Sequence, residues 1–217
     1  MKHALAHNFN TATKITFNPA EILPASYAEE AANLINLTRK KLDKPYHLRA
    51  RSADDIRADI AKGYPLIGIT LPDNGQLVGC VTVSPYHGNP PKGIDKDQCV
   101  IIRSLCVDSH FSGHKLSSQL VDKAIQAAQM DKTSILLAKV SQDNEKSLKK
   151  FISAGFQVLS SGLDTYTDEN KQTKIGCYKY YMMGLILPPL CRSPTCVRSV
   201  ETFVPPFSVG ASSPQNG

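Results

Sequence analysis

The stretch LCVDSHFSGHKLSS, residues 105–118, joins an apolar run to the start of an amphipathic helix. Before the loop, residues 99–107 (CVIIRSLCV) have the composition of a strand buried on both faces. After it, apolar residues recur at helical spacing as far as residue 128. Gly113 lets the loop backbone turn tightly and approach a ligand closely. The stretch therefore predicts a strand, a short loop and a helix N-terminus in succession.

The predicted loop is suited to bind an anion. The backbone N–H groups of a first helical turn have no partner within the helix, and the helix dipole adds about half a positive charge there. His114, Lys115 and Ser117 place side-chain donors at the same end. A phosphate or pyrophosphate fits such a site. The competing interpretation is that the glycine only turns the chain.

A second segment, SQDNEKSLKKFISAGF at residues 141–156, follows another apolar run at residues 134–140. We expect Asn144 to cap a helix, Gly155 to end it in the left-handed conformation, and Phe156 to begin the next strand. The segment therefore predicts a second strand, loop and helix.

In this order, the two segments resemble the motifs of the GNAT superfamily, the acyl-CoA-dependent N-acyltransferases. The longer family motif falls on residues 105–115. The second and sharper motif falls on four residues: Asn144, Ser147, Gly155 and Phe156. The resemblance is specific over residues 99–156 and compatible with the rest of residues 13–187.

The resemblance implies an α/β (α+β) fold. Its mixed, mostly antiparallel central sheet has about six or seven strands and about four flanking helices. Residues 1–187 would form a GNAT-like acyl-CoA-binding domain. Residues 188–217 are rich in proline and serine, and we expect a disordered tail because they contain too little apolar surface to offset the entropy of ordering.

The resemblance also implies acetyl-CoA as the cofactor. Its thiol arm would pair with the strand before the loop, as an added β-strand does, and its pyrophosphate would lie in the loop. An N–H group in this region would face the thioester carbonyl. The residues that the resemblance assigns to cofactor binding are Leu105, Cys106, Val107, His110, Phe111, Ser112, Gly113, His114, Lys115, Leu116, Ser117, Asn144, Ser147 and Phe151.

Proton transfer is the second requirement of an N-acyltransferase. An amine with a pKa near 10.4 is protonated at pH 7, and supplying its free base costs about 4–5 kcal/mol. Many family members use a carboxylate or His on the strand before the loop and a Tyr on the second-motif helix. The corresponding positions hold Ile101, Arg103 and Phe151, so the usual catalytic groups are missing.

Other residues could replace those groups. His87 and Tyr166 are our candidate catalytic residues, since His is the natural proton carrier near neutral pH. Tyr86 and Arg103 are candidates for binding the acceptor. Arg103 would hold a carboxylate of the acceptor or, in the structural alternative, pair with a buried acid.

Two function classes follow from these observations. The first is an N-acetyltransferase in which an amine of unknown identity, on a small molecule or a protein, attacks the thioester of acetyl-CoA directly. The second is a catalytically silent GNAT-like module that binds acyl-CoA as a sensor or scaffold. Both bind coenzyme A, and they differ in turnover. No residue pattern predicts the oligomeric state.

Composition excludes several other classes. The 217 residues are 41% hydrophobic and 20% charged, as is usual for soluble globular proteins. The net charge of +6 suits a polyanionic cofactor or nucleic acid, but no basic run with interleaved aromatics supports nucleic-acid binding. No apolar run is long enough for a membrane span, and the N-terminal residues MKHALAHNFN lack the apolar segment of a signal peptide. We therefore expect a cytoplasmic protein.

The cysteines predict neither a disulfide framework nor a metal site. Four of them lie in apolar runs and read as reduced core residues: Cys80, Cys99, Cys106 and Cys177. The spacing of Cys191 and Cys196 does not match a zinc knuckle. We therefore assign no metal.

The remaining chain yields further element predictions. Capping boxes predict helices starting at Ser26, with Glu29, and at Ser52, with Asp55. Residues 13–17 are a possible first strand, and the Asn74-Gly75 step predicts a hairpin between residues 64–70 and 76–85. Residues 157–161 and 174–187 are predicted strands, and the predicted loop between them contains Asp164, Tyr166 and Glu169.

Overall fold

The structure, a computed structural model, describes residues 15–129, 133–167 and 175–188. In this part of the chain, seven strands form one sheet and four α-helices cover it. The strands are β1 (Glu21–Leu23), β2 (Leu66–Thr70), β3 (Leu77–Pro85), β4 (Cys99–Val107), β5 (Ile135–Ser141), β6 (Gln157–Thr167) and β7 (Ile175–Ile186). The helices are α1 (Ala28–Lys40), α2 (Ala53–Ala61), α3 (Leu116–Gln129) and α4 (Glu145–Ser153).

The strand order is β1-β2-β3-β4-β5-β7-β6, and every neighbouring pair is antiparallel except β4 and β5. This arrangement confirms the predicted mixed, mostly antiparallel sheet with its flanking helices. The hairpin predicted at Asn74-Gly75 joins β2 to β3, and Gly75 has the positive φ of 70° that such a turn requires.

The sheet is open at its centre. The parallel pair β4 and β5 is joined over only four residues, Cys99 to Ile102 on one strand and Ile135 to Ala138 on the other. Beyond Ile102 the two strands no longer pair, while β4 continues to pair with β3. A slit therefore opens between β4 and β5 on the C-terminal side of these pairs.

Each face of the sheet is covered by two helices. The larger core cluster joins α3 and the buried Phe151 of α4 to residues such as Ile67 and Val100. On the other face, α1 and α2 bury Ile35 and Ile56 against alternate sheet residues. This two-sided burial explains why the strand sequences are almost continuously apolar.

The capping box predicted at Ser52 is confirmed. The Asp55 N–H donates to Ser52 Oγ at 3.1 Å, and the Ser52 N–H donates to Asp55 Oδ2 at 3.3 Å. The box predicted at Ser26 is wrong. A 3-10 turn, Ala25–Tyr27, precedes α1, so Tyr27 takes the capping position and makes no side-chain cap bond.

We expect Ser52→Ala to destabilise the protein, because it removes an acceptor that satisfies a free N–H group of α2. The loss should be about 1 kcal/mol and should lower Tm by about 2–4 °C in a chain of this size. Ser26→Ala is the matched control and should leave Tm unchanged in thermal melts followed by circular dichroism. Equal shifts for the two variants would contradict the assignment.

Three other predictions need correction. Residues 15–17 are not a strand; the first strand is β1, and the chain before it is held by the Asn18 N–H donating to Thr70 O at 2.9 Å. Asp164 and Tyr166 do not lie in a loop, because β6 continues through both and pairs with β7. Cys177 is exposed rather than part of the core.

Several predictions fall outside the described residues. These are residues 13 and 14, Glu169 in the predicted loop, both tail cysteines and nearly all of the predicted tail, residues 189–217. The domain limits at residues 187 and 188 therefore stay predictions.

Candidate functional site

Two adjoining cavities lie at the slit between β4 and β5. The first, the central cleft, has a volume of about 350 Å³, and the second, the outer groove, about 640 Å³. The residues that line both cavities are His47, Leu48, Leu105, Asn144 and Ser147. A ligand in the outer groove would therefore meet a ligand in the central cleft at these shared side chains.

The backbone of β4 offers free hydrogen-bonding groups to the outer groove. The Asp108 N–H donates to Val78 O of β3 at 2.8 Å. Alternate N–H groups of a strand face the same edge, so the Cys106 N–H also faces β3, whereas those of Leu105 and Val107 face the slit. No residue of β5 pairs with them. An extended ligand can pair with this edge as an added strand would.

A β-bulge in β4 lies where the two cavities meet. Thr82 pairs with Arg103 and Cys80 with Cys106, so β4 carries an extra residue between these pairs. Ser104 has φ of 54°, which is unusual for a residue with a side chain. Its hydroxyl is buried and has no hydrogen-bond partner among the described residues. Such bulges redirect backbone groups next to functional sites.

The loop after β4 forms an anion cradle before α3. Gly113 has φ of 88° and Lys115 has φ of 57°. None of the backbone N–H groups of residues 113–117 donates to an acceptor in the described part of the chain. Five successive free amides at a helix N-terminus are suited to an anion such as pyrophosphate.

Aromatic contacts hold this loop in place. The Phe17 ring lies 5.7 Å from the Phe111 ring and 5.1 Å from the His114 ring. His110 bonds to Asp108 Oδ1 at 2.8 Å and is otherwise largely exposed. Phe111 and His110 thus stabilise the loop in this structure, and His114 and Ser112 are exposed at its surface.

The start of α4 forms the opposite wall. Asn144 Oδ1 accepts from the Ser147 N–H at 3.2 Å, which confirms the predicted N-cap. Phe151 is buried at the base of the cleft. Lys150 Nζ donates to Ser118 Oγ at 3.2 Å and so reaches α3 across the outer groove. Lys149, in contrast, forms an exposed pair with Glu145.

A loop between α1 and α2 is attached to this wall through Asp143. Its carboxylate accepts hydrogen bonds from four side chains at 2.6 or 2.7 Å: Lys44, Tyr46, His47 and Ser141. Burial raises the pKa of Asp143, but these hydrogen bonds outweigh burial and hold the pKa well below its ordinary value. The loop therefore places His47 between the two cavities.

This depressed pKa predicts a pH-dependent stabilisation. An ionised Asp143 stabilises the folded state at any pH above the ordinary Asp pKa of about 3.9, and protonation at lower pH removes the effect. The Tm difference between the wild type and Asp143→Asn should therefore shrink as the pH is lowered from about 4 to 3. Thermal melts across this range measure it; a difference that is unchanged down to pH 3 would contradict the assignment.

The predicted acceptor and catalytic residues do not all lie together. Tyr86 and Arg103 line the central cleft. His87 is exposed and lines a separate pocket of about 290 Å³, the arginine pocket, which also contains Arg103. Tyr166 lies on β6 and pairs with Gly176 on β7, and its side chain is outside the described part of the structure.

Several site residues were not predicted. His47, Arg49 and Arg51 reach the cavities from the loop between α1 and α2, whose sequence carries no motif. Ser104 was also missed, since nothing in an apolar strand sequence signals a positive φ. In the sequence, only their charge distinguishes these residues from those of any other loop between two helices.

The described residues contain no group of three or more His, Cys, Asp or Glu placed to hold a metal ion. None of the helices in this part of the chain has the length and apolar character needed to cross a bilayer.

Solved structures with the same fold include several acetyltransferases. That of yncA from Salmonella typhimurium, with its cofactor acetyl-CoA, is 16% identical, has a TM-score of 0.62, and covers 83% of this chain and 99% of its own. The ribosomal-protein-alanine N-acetyltransferase of Brucella melitensis is 16% identical, with a TM-score of 0.59 and coverage of 77% and 99%. An N-acetyltransferase of Staphylococcus aureus Mu50 is 17% identical, with a TM-score of 0.60 and coverage of 80% and 99%.

These identities establish a shared fold, and no curated protein sequence matches the chain. The family is shown by sequence: the model of the acetyltransferase (GNAT) family matches residues 32–156, which is more than half of the chain. The slit, the open strand edge and the free amides before α3 all lie within these residues. The chain therefore belongs to the acetyltransferase (GNAT) family.

Proposed function

We propose that this protein transfers an acetyl group from acetyl-CoA to an amine, which attacks the thioester directly. The observation that carries the proposal is the continuity of the unpaired edge of β4 with the free amides of residues 113–117. An extended arm that ends in a pyrophosphate matches the spatial order of these binding groups. Family membership and the acetyl-CoA in the structure of yncA support the same cofactor.

The cavity residues fit the proposed cofactor in chemistry as well as in position. Leu105 and Val107 offer backbone groups for the amides of the pantetheine arm, and Asn144 and Ser147 line the facing wall. Lys150 contributes a cation near the phosphate end. Since a polyanion needs compensating charge and donors in a partly desolvated site, this distribution favours a nucleotide cofactor.

Bound acetyl-CoA would supply an activated acetyl group as its thioester. The β4 bulge directs backbone groups towards the junction of the two cavities, and one well-aimed N–H donor to the carbonyl oxygen there would lower the barrier by about 3 kcal/mol. The central cleft would hold the acceptor amine. The transfer would form a bond between the amine nitrogen and the carbonyl carbon and break the carbon–sulfur bond, so that coenzyme A would leave as the thiolate.

His47 is the proposed proton acceptor. It lines both cavities, its side chain is only 15% exposed, and its Nε2 lies 2.7 Å from Asp143 Oδ1. With Nε2–H donating to the carboxylate, Nδ1 is the free acceptor for the amine proton, and Asp143 stabilises the resulting imidazolium. His87, the residue that we inferred from sequence, lies outside the shared part of the cavities.

Two measurements test the function. Calorimetry of the whole protein with coenzyme A should show binding, and a thiol assay with acetyl-CoA and a panel of amines should show release of free thiol. Binding without thiol release across the panel would favour the silent sensor or scaffold instead. Absence of coenzyme A binding would overturn both.

A further inference from the structure

Three arginines meet on the acceptor side of the slit. Arg49, Arg51 and Arg103 line both the central cleft and the arginine pocket, so the three residues border the same space. Arg49 and Arg51 come from the loop between α1 and α2, and Arg103 comes from β4. Arg103 is more than 50 positions from the other two in the chain, so the fold brings the three residues together although their charges repel.

The described acids neutralise only part of this charge. Asp59 Oδ2 accepts from Arg51 at 2.8 Å and from Ser84 Oγ at 2.6 Å. Asp55, the other acid at the pocket, is engaged in the capping box of α2. Among the described residues, neither Arg49 nor Arg103 forms an ion pair or a guanidinium hydrogen bond. Arg103 and the exposed Arg49 therefore have no direct ion-pair partner in this part of the chain, and Asp59 offsets the charge of Arg103 only through space.

Buried donors point to a missing acceptor. Arg103 Nε and Arg51 Nε are both buried and have no hydrogen-bond partner in the described structure. Burial lowers the pKa of Arg103, the neighbouring Arg49 and Arg51 lower it further, and Asp59 opposes them with a smaller effect. Because Arg103 is partly buried beside two other cations, a bound anion would offset its desolvation and this repulsion, and it would accept a hydrogen bond from the unsatisfied Nε.

The single acid in the rest of the central cleft is already paired with neighbouring side chains. The cleft lining contains a fourth cation, Lys139, and a single acid, Asp164, which accepts from Lys139 and from the hydroxyl of Tyr178. Burial, aided by Asp164, raises the pKa of Tyr178 to about 12, so the hydroxyl stays a neutral donor. Apolar surface from Ile101 and Met182 completes the wall.

We propose that the acceptor is an amino acid whose carboxylate is bound by Arg49 and Arg103, while its amine points towards the slit. This inference rests on the proposed function and adds the chemical class of the acceptor. A guanidinium fork matches a carboxylate in shape and charge, and Arg51, oriented by Asp59, adds to the positive potential. The apolar wall suits an uncharged side chain on the same molecule.

The test compares L-phenylalanine, L-leucine and L-methionine with their primary amides, which keep the amine and lose the negative charge. Thiol release gives kcat/KM for each acceptor. Calorimetric titration of N-acetyl-L-phenylalanine and N-acetyl-L-phenylalaninamide into the protein measures the site without turnover. The variants are Arg103→Gln and the exposed Arg49→Gln, with Arg57→Gln, which pairs with Asp54 on the surface of α2, as the matched control.

Each free acid should exceed its amide by about 10- to 100-fold in kcat/KM and in affinity. Arg49→Gln and Arg103→Gln should remove most of this ratio, and Arg57→Gln should leave it unchanged. The inference would be overturned if acids and amides gave equal kcat/KM and affinity, or if the preference for the acids persisted in both variants. Turnover of amines without carboxylate preference would reject this subsite alone, whereas carboxylate binding without turnover of any amine would reject the proposed function alone.

Discussion

Gly113→Glu is expected to reduce the affinity for coenzyme A by about 100-fold or more. A carboxylate placed about 5 Å from the pyrophosphate, at an effective dielectric constant near 20, costs about 3 kcal/mol per unit charge. Nothing lies within 4 Å of a Cβ added at Gly113, so the new side chain projects from the cradle without a clash. Its φ of 88° adds a modest backbone strain.

Gly63→Glu provides a closely matched control. Gly63 has the same φ of 88° and the same free space around an added Cβ, and it lies at the end of α2 rather than beside the cradle. Strain and net charge change equally in the two variants, so only the position of the carboxylate differs. Isothermal titration with coenzyme A should show normal affinity for Gly63→Glu. If Gly113→Glu also binds normally, the pyrophosphate does not lie in this loop.

His47→Gln is expected to lower kcat by about 10²- to 10⁴-fold, the usual contribution of a positioned general base. Gln still donates a hydrogen bond to Asp143 but does not take up the amine proton. The loss should therefore appear in kcat. Affinity for coenzyme A should change little, because the backbone of β4 and the cradle remain.

His87→Gln is the competing variant in the same experiment. The two histidines lie in different pockets, and only His47 borders both cavities at the slit. Stopped-flow or steady-state thiol release across pH 5 to 9 separates them. A large fall in kcat for His87→Gln, with a near-normal kcat for His47→Gln, would assign the proton transfer to His87 and refute our proposal for His47.

Local sequence rules predicted the parts of this protein that local interactions form. The cap at Asn144, the box at Ser52 and the left-handed conformation of Gly155 all depend on residues within a few positions. The fold class followed from the two motifs through their family resemblance. These features required no knowledge of how distant segments meet.

The acceptor side could not be predicted in the same way. His47 contacts Asp143 across 96 positions in the chain, and Arg49 meets Arg103 only because the loop between α1 and α2 folds over β4. The sequence predicts a strand for residues 157–161 but a loop for the polar second half of β6, because β6 is an edge strand with exposed side chains. Pairing with β7, rather than apolar periodicity, extends it to Thr167.

Because the parallel pairing between β4 and β5 is short, binding of a nucleotide thioester breaks no strand pairing. The four pairs that join these strands lie before the slit, so a nucleotide thioester enters a gap already present in the folded chain. The amides of the bound thioester would extend the hydrogen bonding along β4. The free energy of unfolding would rise by about 2.7 kcal/mol at a thioester concentration 100 times Kd. The Tm of the protein should therefore rise with the concentration of the acyl donor.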